Sequence, residues 1–317
     1  MRAEIDVDVR LTRALLAEQH PDLLADLDGD ALRVVANGWD NVMVRLGADL
    51  AVRLPRRAPA APLVEHEQRA LPALARRLRA AVPDVVVPAP LRVGRPSPAL
   101  GYPWAWSVVP WVRGVGAETT PVAARAAWAR DLGRVLAAVH VPAPGDAPPN
   151  PVRGIRLQDR ADARDPAALG ERLDRLPPGR RDAARRLWDR ALDAPAHDGP
   201  AVWLHGDPHP ANLVVAPVPE GQPDRLAAVV DWGDVTSGDP ASDLGALWLC
   251  FDAAGRAACR AAIQERAHDG RGWDDATWRR ATGWALLYAT NLVAHPDLHP
   301  TLVPIGTHGL AQLLDEE

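Results

Sequence analysis

The chain has 317 residues, a formal net charge of -5 and 47% hydrophobic residues. That length supports one large domain or two lobes with real cores, the negative balance gives nucleic-acid binding no electrostatic support, and no apolar run approaches the roughly 18 residues of a membrane span. The N-terminal MRAEIDVDVR lacks the apolar core of a signal peptide. Two cysteines, Cys250 and Cys259, sit in an apolar, helical-looking segment, so buried free thiols and a cytoplasmic location are expected. All 36 basic residues are Arg.

In chain order, residues 8–27 predict a helix capped by Asp8, with Leu11, Leu15 and Leu16 on its apolar face. LRVVA (32–36), NVMVRL (41–46) and LAVRL (50–54) predict three strands joined by the turn chemistry of NGWD and GAD, an antiparallel meander. Residues 63–81 predict a helix that Pro72 kinks or splits. A Pro-rich stretch (83–98) leads to a strand at 104–112. Residues 121–140 predict a helix ending at His140, before the loop VPAPGDAPPNP. Helices follow over 157–163, 167–175, 179–193, 241–267 and 275–293. Strands interrupt them at 201–206, 212–216 and 225–232. A β-rich first part and an α-rich second part imply an α+β protein with two lobes.

The stretch HGDPHPAN (205–212) lies between two strands as a tight loop. About twenty residues later, VVDWGD places Asp231 at the end of an apolar strand. Asp207, Asn212 and Asp231 are then oxygen donors on neighbouring strand ends. Hard oxygen ligands of this kind suit Mg²⁺, which takes one or two carboxylates together with substrate phosphates. Phosphoryl transfer needs such a metal and a separate carboxylate to orient the attacking hydroxyl.

His205-Gly206-Asp207, four residues, Asn212 and then Asp231-Trp232-Gly233 repeats the spacing of the protein-kinase catalytic loop and metal-binding triplet. HGDxxxxN followed by hhDWxxxxxGDPxxDL resembles the aminoglycoside phosphotransferases and their kinase-like relatives, including the macrolide phosphotransferases, over nearly the whole chain. The resemblance implies a bilobal protein-kinase-like fold. A small antiparallel-sheet nucleotide lobe and hinge would span residues 1–112, and a larger helical catalytic lobe residues 113–317. It implies that Asp207 receives the acceptor hydroxyl and takes its proton late, a contribution of about 10²–10⁴ in rate. Asn212 and Asp231 would hold Mg²⁺, and ATP or GTP would be the co-substrate. His205 and Asp243 resemble loop-bracing positions, and Asp239-Pro240 the turn before a helix. His209 has no matching role and reads as a surface or loop residue.

On the nucleotide side, the resemblance requires a cation on the third strand. Arg53 takes the place of the usual Lys, with small Ala51 on the same face leaving room for the base. Arg is permanently charged and forks onto two phosphate oxygens, but it is bulkier than Lys. Of Glu65 and Glu67, the resemblance favours Glu67 as its partner. ANGWDN, around Gly38, would cover the phosphates with freed backbone amides, although it lacks a three-glycine pattern. SVVPWVRG resembles the hinge, with the Pro110 carbonyl and the Val112 amide reading the base.

The acceptor would be a small hydroxylated molecule such as an aminoglycoside, macrolide or nucleoside antibiotic, taken between the helices of 150–200 and 252–317. Residues 252–317 carry nine acids against six Arg, only a mild attraction for a polycation. Trp248, Trp273, Trp278 and Trp284 are candidates for pocket lining or for core. A metabolic kinase of the choline, homoserine or ketosamine type shares the same machinery, and a nucleotide-binding pseudoenzyme is a further alternative. A metal phosphoesterase would need additional His/Asp sites that the sequence does not contain. The oligomeric state is left open.

Overall fold

The structure is a computed structural model that describes residues 3–25, 31–38, 40–160, 165–216, 224–266, 272–294, 296 and 300–315. The chain divides into two compact units: residues 1–76 with 86–113, and residues 77–85 with 114–317. The first is β-rich and the second helix-rich, the α+β division expected from the sequence.

In the first unit, helix α1 (Val9–Gln19) starts where the Asp8 carboxylate accepts the Leu11 amide at 2.7 Å. It ends before Pro21, and a short 3₁₀ turn follows at Pro21–Leu24, so the single helix expected to reach residue 27 is two pieces. Residues 26 and 27 lie outside the described residues. Strands β1 (Leu32–Asn37), β2 (Asn41–Leu46) and β3 (Leu50–Pro55) form the expected meander. With β4 (Arg92–Gly94) and β5 (Trp106–Pro110) they make an antiparallel sheet of order β1-β2-β3-β5-β4. Strand alternation puts Val42, Val44, Leu46, Val52, Leu54 and Val108 into one core with Leu15, Leu16 and Trp106. Ala51 and Arg53 therefore belong to the opposite face.

Helix α2 (Ala61–Ala81) runs unbroken through Pro72. The missing amide costs one helical bond, but buried Val64, Leu71, Leu74 and Leu78 anchor both sides of it. Gln68 on this helix donates to the Trp106 carbonyl at 2.9 Å and to the Ser107 hydroxyl at 3.0 Å.

The second unit contains β6 (Val115–Gly116), α3 (Ala129–Val139), α4 (Pro166–Asp174), α5 (Pro178–Leu192), β7 (Val202–Leu204), β8 (Leu213–Ala216), β9 (Arg225–Val229) and β10 (Thr236–Gly238). After these come α6 (Ala241–Leu244), α7 (Leu247–Cys250), α8 (Ala253–Arg266), α9 (Asp275–Ala294) and α10 (Val303–Leu314). Strands β6, β8 and β9 form one small antiparallel sheet, and β7 pairs with β10.

Three helix expectations need correction. Residues 122–128 are 3₁₀ rather than α, because the buried Arg125 guanidinium reaches back to the carbonyls of Glu118 and Thr120 and across to Cys250, tightening the turn. Residues 157–159 form one 3₁₀ turn, and 161–163 lie outside the described residues. The helix expected over 241–267 is three helices: Gly245 and Ala246 keep right-handed helical angles between the first two, the chain turns extended at Phe251 (φ -128°), and the third starts after Asp252, which accepts the Gly255 amide. Its last residue, 267, is not among those described. Helix α10 had no expectation.

Both cysteines are free and buried. Burial pushes the Cys250 thiol up to about 12 and the Cys259 thiol well above its ordinary value. No helix among the described residues is long and apolar enough to cross a membrane.

A buried ion pair ties α9 to the turn that precedes α6. Arg280 meets both Asp239 oxygens, at 2.6 and 3.1 Å, and both side chains are almost fully enclosed. Arg280→Ala leaves a buried carboxylate without its cation, so it is expected to lower stability by about 3–5 kcal/mol, measured by denaturant unfolding.

Candidate active site

The HGDPHPAN loop leaves β7 at Leu204. Gly206 adopts φ 91°, and a Cβ there would sit 2.3 Å from the Asp234 carbonyl, so only glycine fits. The loop backbone is gripped from the start of α6. The fully buried Asp243 carboxylate accepts the amides of His205 at 2.8 Å and Gly206 at 2.9 Å, and Nε2 of His140 at 3.1 Å. Asp243 thus lies where loop-bracing was expected. Asp239 accepts the Ala241 amide at the start of the same helix.

His205 joins the loop to the end of β9. Its Nδ1 accepts the Asp207 amide at 3.1 Å, so Nε2 carries the proton and donates to the Val230 carbonyl at 3.0 Å. Burial lowers its pKa, favouring that neutral form. Its ring packs on Trp232, centroids 4.4 Å apart. Asn212 completes the clamp: its side-chain nitrogen donates to the Asp207 carbonyl and its own carbonyl accepts the Val230 amide, both at 2.9 Å. Asp231, next along the chain, has φ 58° and is the only non-glycine residue with positive φ among those described. The structure therefore sets Asp207, Asn212 and Asp231 on two stapled turns of the second unit.

The Asn212 bond uses its nitrogen and leaves Oδ1, which has no partner among the described residues. The exposed Asp231 carboxylate stands on the adjoining turn. An amide oxygen and a carboxylate fit Mg²⁺, a hard cation that needs few protein ligands when phosphates supply the rest.

The surroundings of Asp207 hold what the sequence did not reveal. Its Oδ1 accepts from Arg153 Nη2 at 3.0 Å, and its Oδ2 lies 3.4 Å from His209 Nε2. His209 is a loop residue, but not an exposed one. It is partly buried, and because Nδ1 accepts the Ala211 amide, the Nε2 proton faces Asp207. Burial pushes the Asp207 carboxyl up, but Arg153 and His209 outweigh it and hold the group well below the usual carboxylate range. Burial depresses His209, and Asp207 more than reverses this, so His209 titrates above its ordinary value. Asp234 is pushed up by burial and accepts from Asn150 at 2.8 Å. Arg153 lay between the Pro-rich loop VPAPGDAPPNP and the helix expected from 157, with no periodicity or motif to mark it. His209 was masked by its adjacency to the motif residues.

In the first unit, Arg53 Nε lies 3.1 Å from Glu67 Oε2, both side chains buried, while Glu65 is exposed. Ala51 is fully buried. Pro110 closes β5 opposite Leu50, and the Val112 amide makes no hydrogen bond among the described residues. The expectation at Gly38 fails: its amide is not freed but donates to the Asn41 carbonyl at 2.9 Å, closing the β1–β2 turn. Of the four tryptophans, Trp284 is fully enclosed and Trp278 nearly so, which makes them core. Trp273 is half-buried beside a cavity of about 280 Å³.

The sequence profile of the Phosphotransferase enzyme family matches residues 31–284. The chain belongs to that family. No curated relative matches its sequence. Among solved structures, the phosphotransferase is similar to the GDP and kanamycin complex of APH(2")-IIia, at 17% identity and TM-score 0.65, covering 96% of this chain and 99% of the other. It is also similar to macrolide 2'-phosphotransferase MphH from Brachybacterium faecium, at 23% identity and TM-score 0.60, covering 98% of each chain. A macrolide 2'-phosphotransferase type I gives 22% identity and TM-score 0.57, covering 99% of each. The phosphotransferase thus has the kinase-like α+β fold of these enzymes.

Asp243→Ala strands two buried loop amides, each costing about 1–3 kcal/mol. The variant is expected to lose several kcal/mol in denaturant unfolding, about twice the loss for His140→Ala, which removes only one of the three donors.

Proposed function

We propose that this phosphotransferase moves the γ-phosphoryl group of ATP or GTP to a hydroxyl of a small molecule, an antibiotic of the aminoglycoside, macrolide or nucleoside type. The observation that carries the reading is the braced loop that sets Asp207 and Asn212 beside Asp231. Asn212 and Asp231 would hold Mg²⁺, which supplies charge neutralisation for the phosphates. Asp207 receives the acceptor hydroxyl. With donors on both of its oxygens it is a weak base, so its work is to orient the hydroxyl and to accept the proton only once the oxygen–phosphorus bond is well formed.

In the first unit, Arg53 would meet phosphate oxygens while Glu67 fixes its direction. Ala51 leaves space for the base. The free Val112 amide and the Pro110 carbonyl offer the donor and acceptor that a purine edge requires. Similar structures hold GDP, ATP or ADP, which supports a nucleotide co-substrate of either base. Similar structures in complex with kanamycin, gentamicin or streptomycin, together with the macrolide phosphotransferases, support an antibiotic acceptor.

The deciding experiment screens aminoglycosides, macrolides, nucleoside antibiotics, choline and homoserine with ATP and GTP, following the mass gain of one phosphoryl group. Transfer to choline or homoserine alone would replace the antibiotic reading with a metabolic one. Asp207→Ala is expected to lower kcat by about 10²–10⁴ while nucleotide still binds in a calorimetric titration. Asp231→Ala should abolish Mg²⁺-dependent nucleotide binding. Arg53→Ala should raise the nucleotide KM by about tenfold, the value of one charge-assisted hydrogen bond. Unchanged kinetics in any of these variants removes that residue from its role.

A further inference from the structure

Arg153 is a costly residue to place where it is. Its side chain is largely buried, at 16% exposure, and its Nε has no hydrogen-bond partner. A buried cation is tolerated only when it is well paired, and its hydrogen-bond partner among the described residues is Asp207 Oδ1. Below it lies the Tyr288 ring, 4.8 Å from the guanidinium carbon. Arg favours this arrangement because its planar cation can stack on a ring and aim a donor along the plane.

Both supports are themselves fixed. The Tyr288 hydroxyl meets the Ser242 hydroxyl at 3.0 Å and donates to the Ser242 carbonyl at 3.2 Å. Ser242 precedes Asp243, which grips the loop backbone. The start of α6 therefore controls the loop twice, through the amides of His205 and Gly206 and through Tyr288 and Arg153 to the Asp207 side chain.

The backbone carrying Arg153 is stitched to the segment after Asp231. The Thr236 hydroxyl donates to the Pro148 carbonyl at 2.7 Å, Asn150 to Asp234 at 2.8 Å, and the Asp239 amide to the Gly154 carbonyl at 2.8 Å. The Gly154 and Gly238 backbones touch so closely that a Cβ on Gly238 would fall 1.9 Å from the Gly154 oxygen. Arg153 is thus a side chain locked at both ends, the condition for placing another group within a fraction of an ångström.

We propose that Arg153 is a positioning residue: backed by Tyr288, it fixes the Asp207 carboxylate in the orientation that receives the acceptor hydroxyl. This rests on the reading of Asp207 above and goes beyond it, because the residue lies outside the motif that points to phosphoryl transfer.

The test is a set of double-substitution cycles read by steady-state kinetics with Mg²⁺ and ATP or GTP. Kanamycin and erythromycin are the acceptor probes, with nucleotide hydrolysis by water as the readout where neither reacts. Arg153→Met is expected to lower kcat by about 100-fold, the usual effect of a misplaced catalytic group, with the nucleotide KM changed by less than about twofold. Arg153→Lys, which keeps the charge, should recover about a tenth of the parent kcat. Tyr288→Leu removes the ring without touching Asp207. It should lower kcat by about tenfold alone, and by less than about twofold once Arg153 is Met. In an Asp207→Asn background, Arg153→Met should likewise cost less than about twofold.

A kcat for Arg153→Met within about twofold of the parent overturns the proposal, as does an equal loss in the two Asp207 backgrounds. Unchanged turnover in Asp207→Asn itself would instead remove the underlying reading of that residue. If Asp207→Asn falls below detection, the Tyr288–Arg153 cycle decides, since independent losses there would mean that Arg153 does not act from its seat on the ring.

Discussion

The hydrogen bonds from the His205 and Gly206 amides to the Asp243 carboxylate are the constraint on which the geometry of the HGDPHPAN loop depends. A carboxylate with no solvent exposure is tolerable only when its lone pairs are filled, and here two backbone amides and the His140 ring fill them. The same requirement works in reverse on the loop. Two amides that turn away from β7 into a buried corner need acceptors, and one side chain supplies both. Gly206 can then take the positive φ that turns the chain outward and presents Asp207.

The site is electrostatically closed before any substrate is considered. Both Asp207 oxygens face donors, so the carboxylate is stabilised as an anion and has little appetite for a proton. In the proposed reaction that suits a loose transition state, in which the attacking oxygen keeps its proton until late and direction matters more than basicity. A carboxylate meant to strip a proton early would sit in a poorer donor environment with its pKa raised.

The absence of lysine has structural consequences as well as compositional ones. Several buried guanidiniums among the described residues fork, as Arg280 does onto Asp239, or stack, as Arg153 does on Tyr288 and Arg45 on Trp111. A flexible ammonium has neither the planar face nor the spread of donors to do this. In the first unit, buried Arg53 sets its Nε 3.1 Å from Glu67.

The meander, the two-part α+β organisation and the placing of the HGDPHPAN loop between two strands were legible in the sequence, because each is a local pattern. Strand alternation, turn residues and the spacing from Asp207 to Asn212 to Asp231 are properties of short stretches of chain. Helix ends were less legible. Arg125 in residues 122–128 takes one of its acceptors, the Cys250 carbonyl, from 125 residues away, and the extended Phe251 that ends the second helix after Asp239 is neither Pro nor Gly. The Gly38 amide looked free only because its acceptor, Asn41, comes into reach when the β1–β2 turn closes. What the sequence by itself determined is the identity and order of the motif residues. Only the tertiary structure decided their state: that His209 and a distant Arg153 converge on Asp207, that Tyr288 backs Arg153, and that Asp243 holds the loop. The physical reason is that ion pairs and buried hydrogen bonds join residues by proximity in space, and none of these partners carries a periodicity or spacing that links it to the motif.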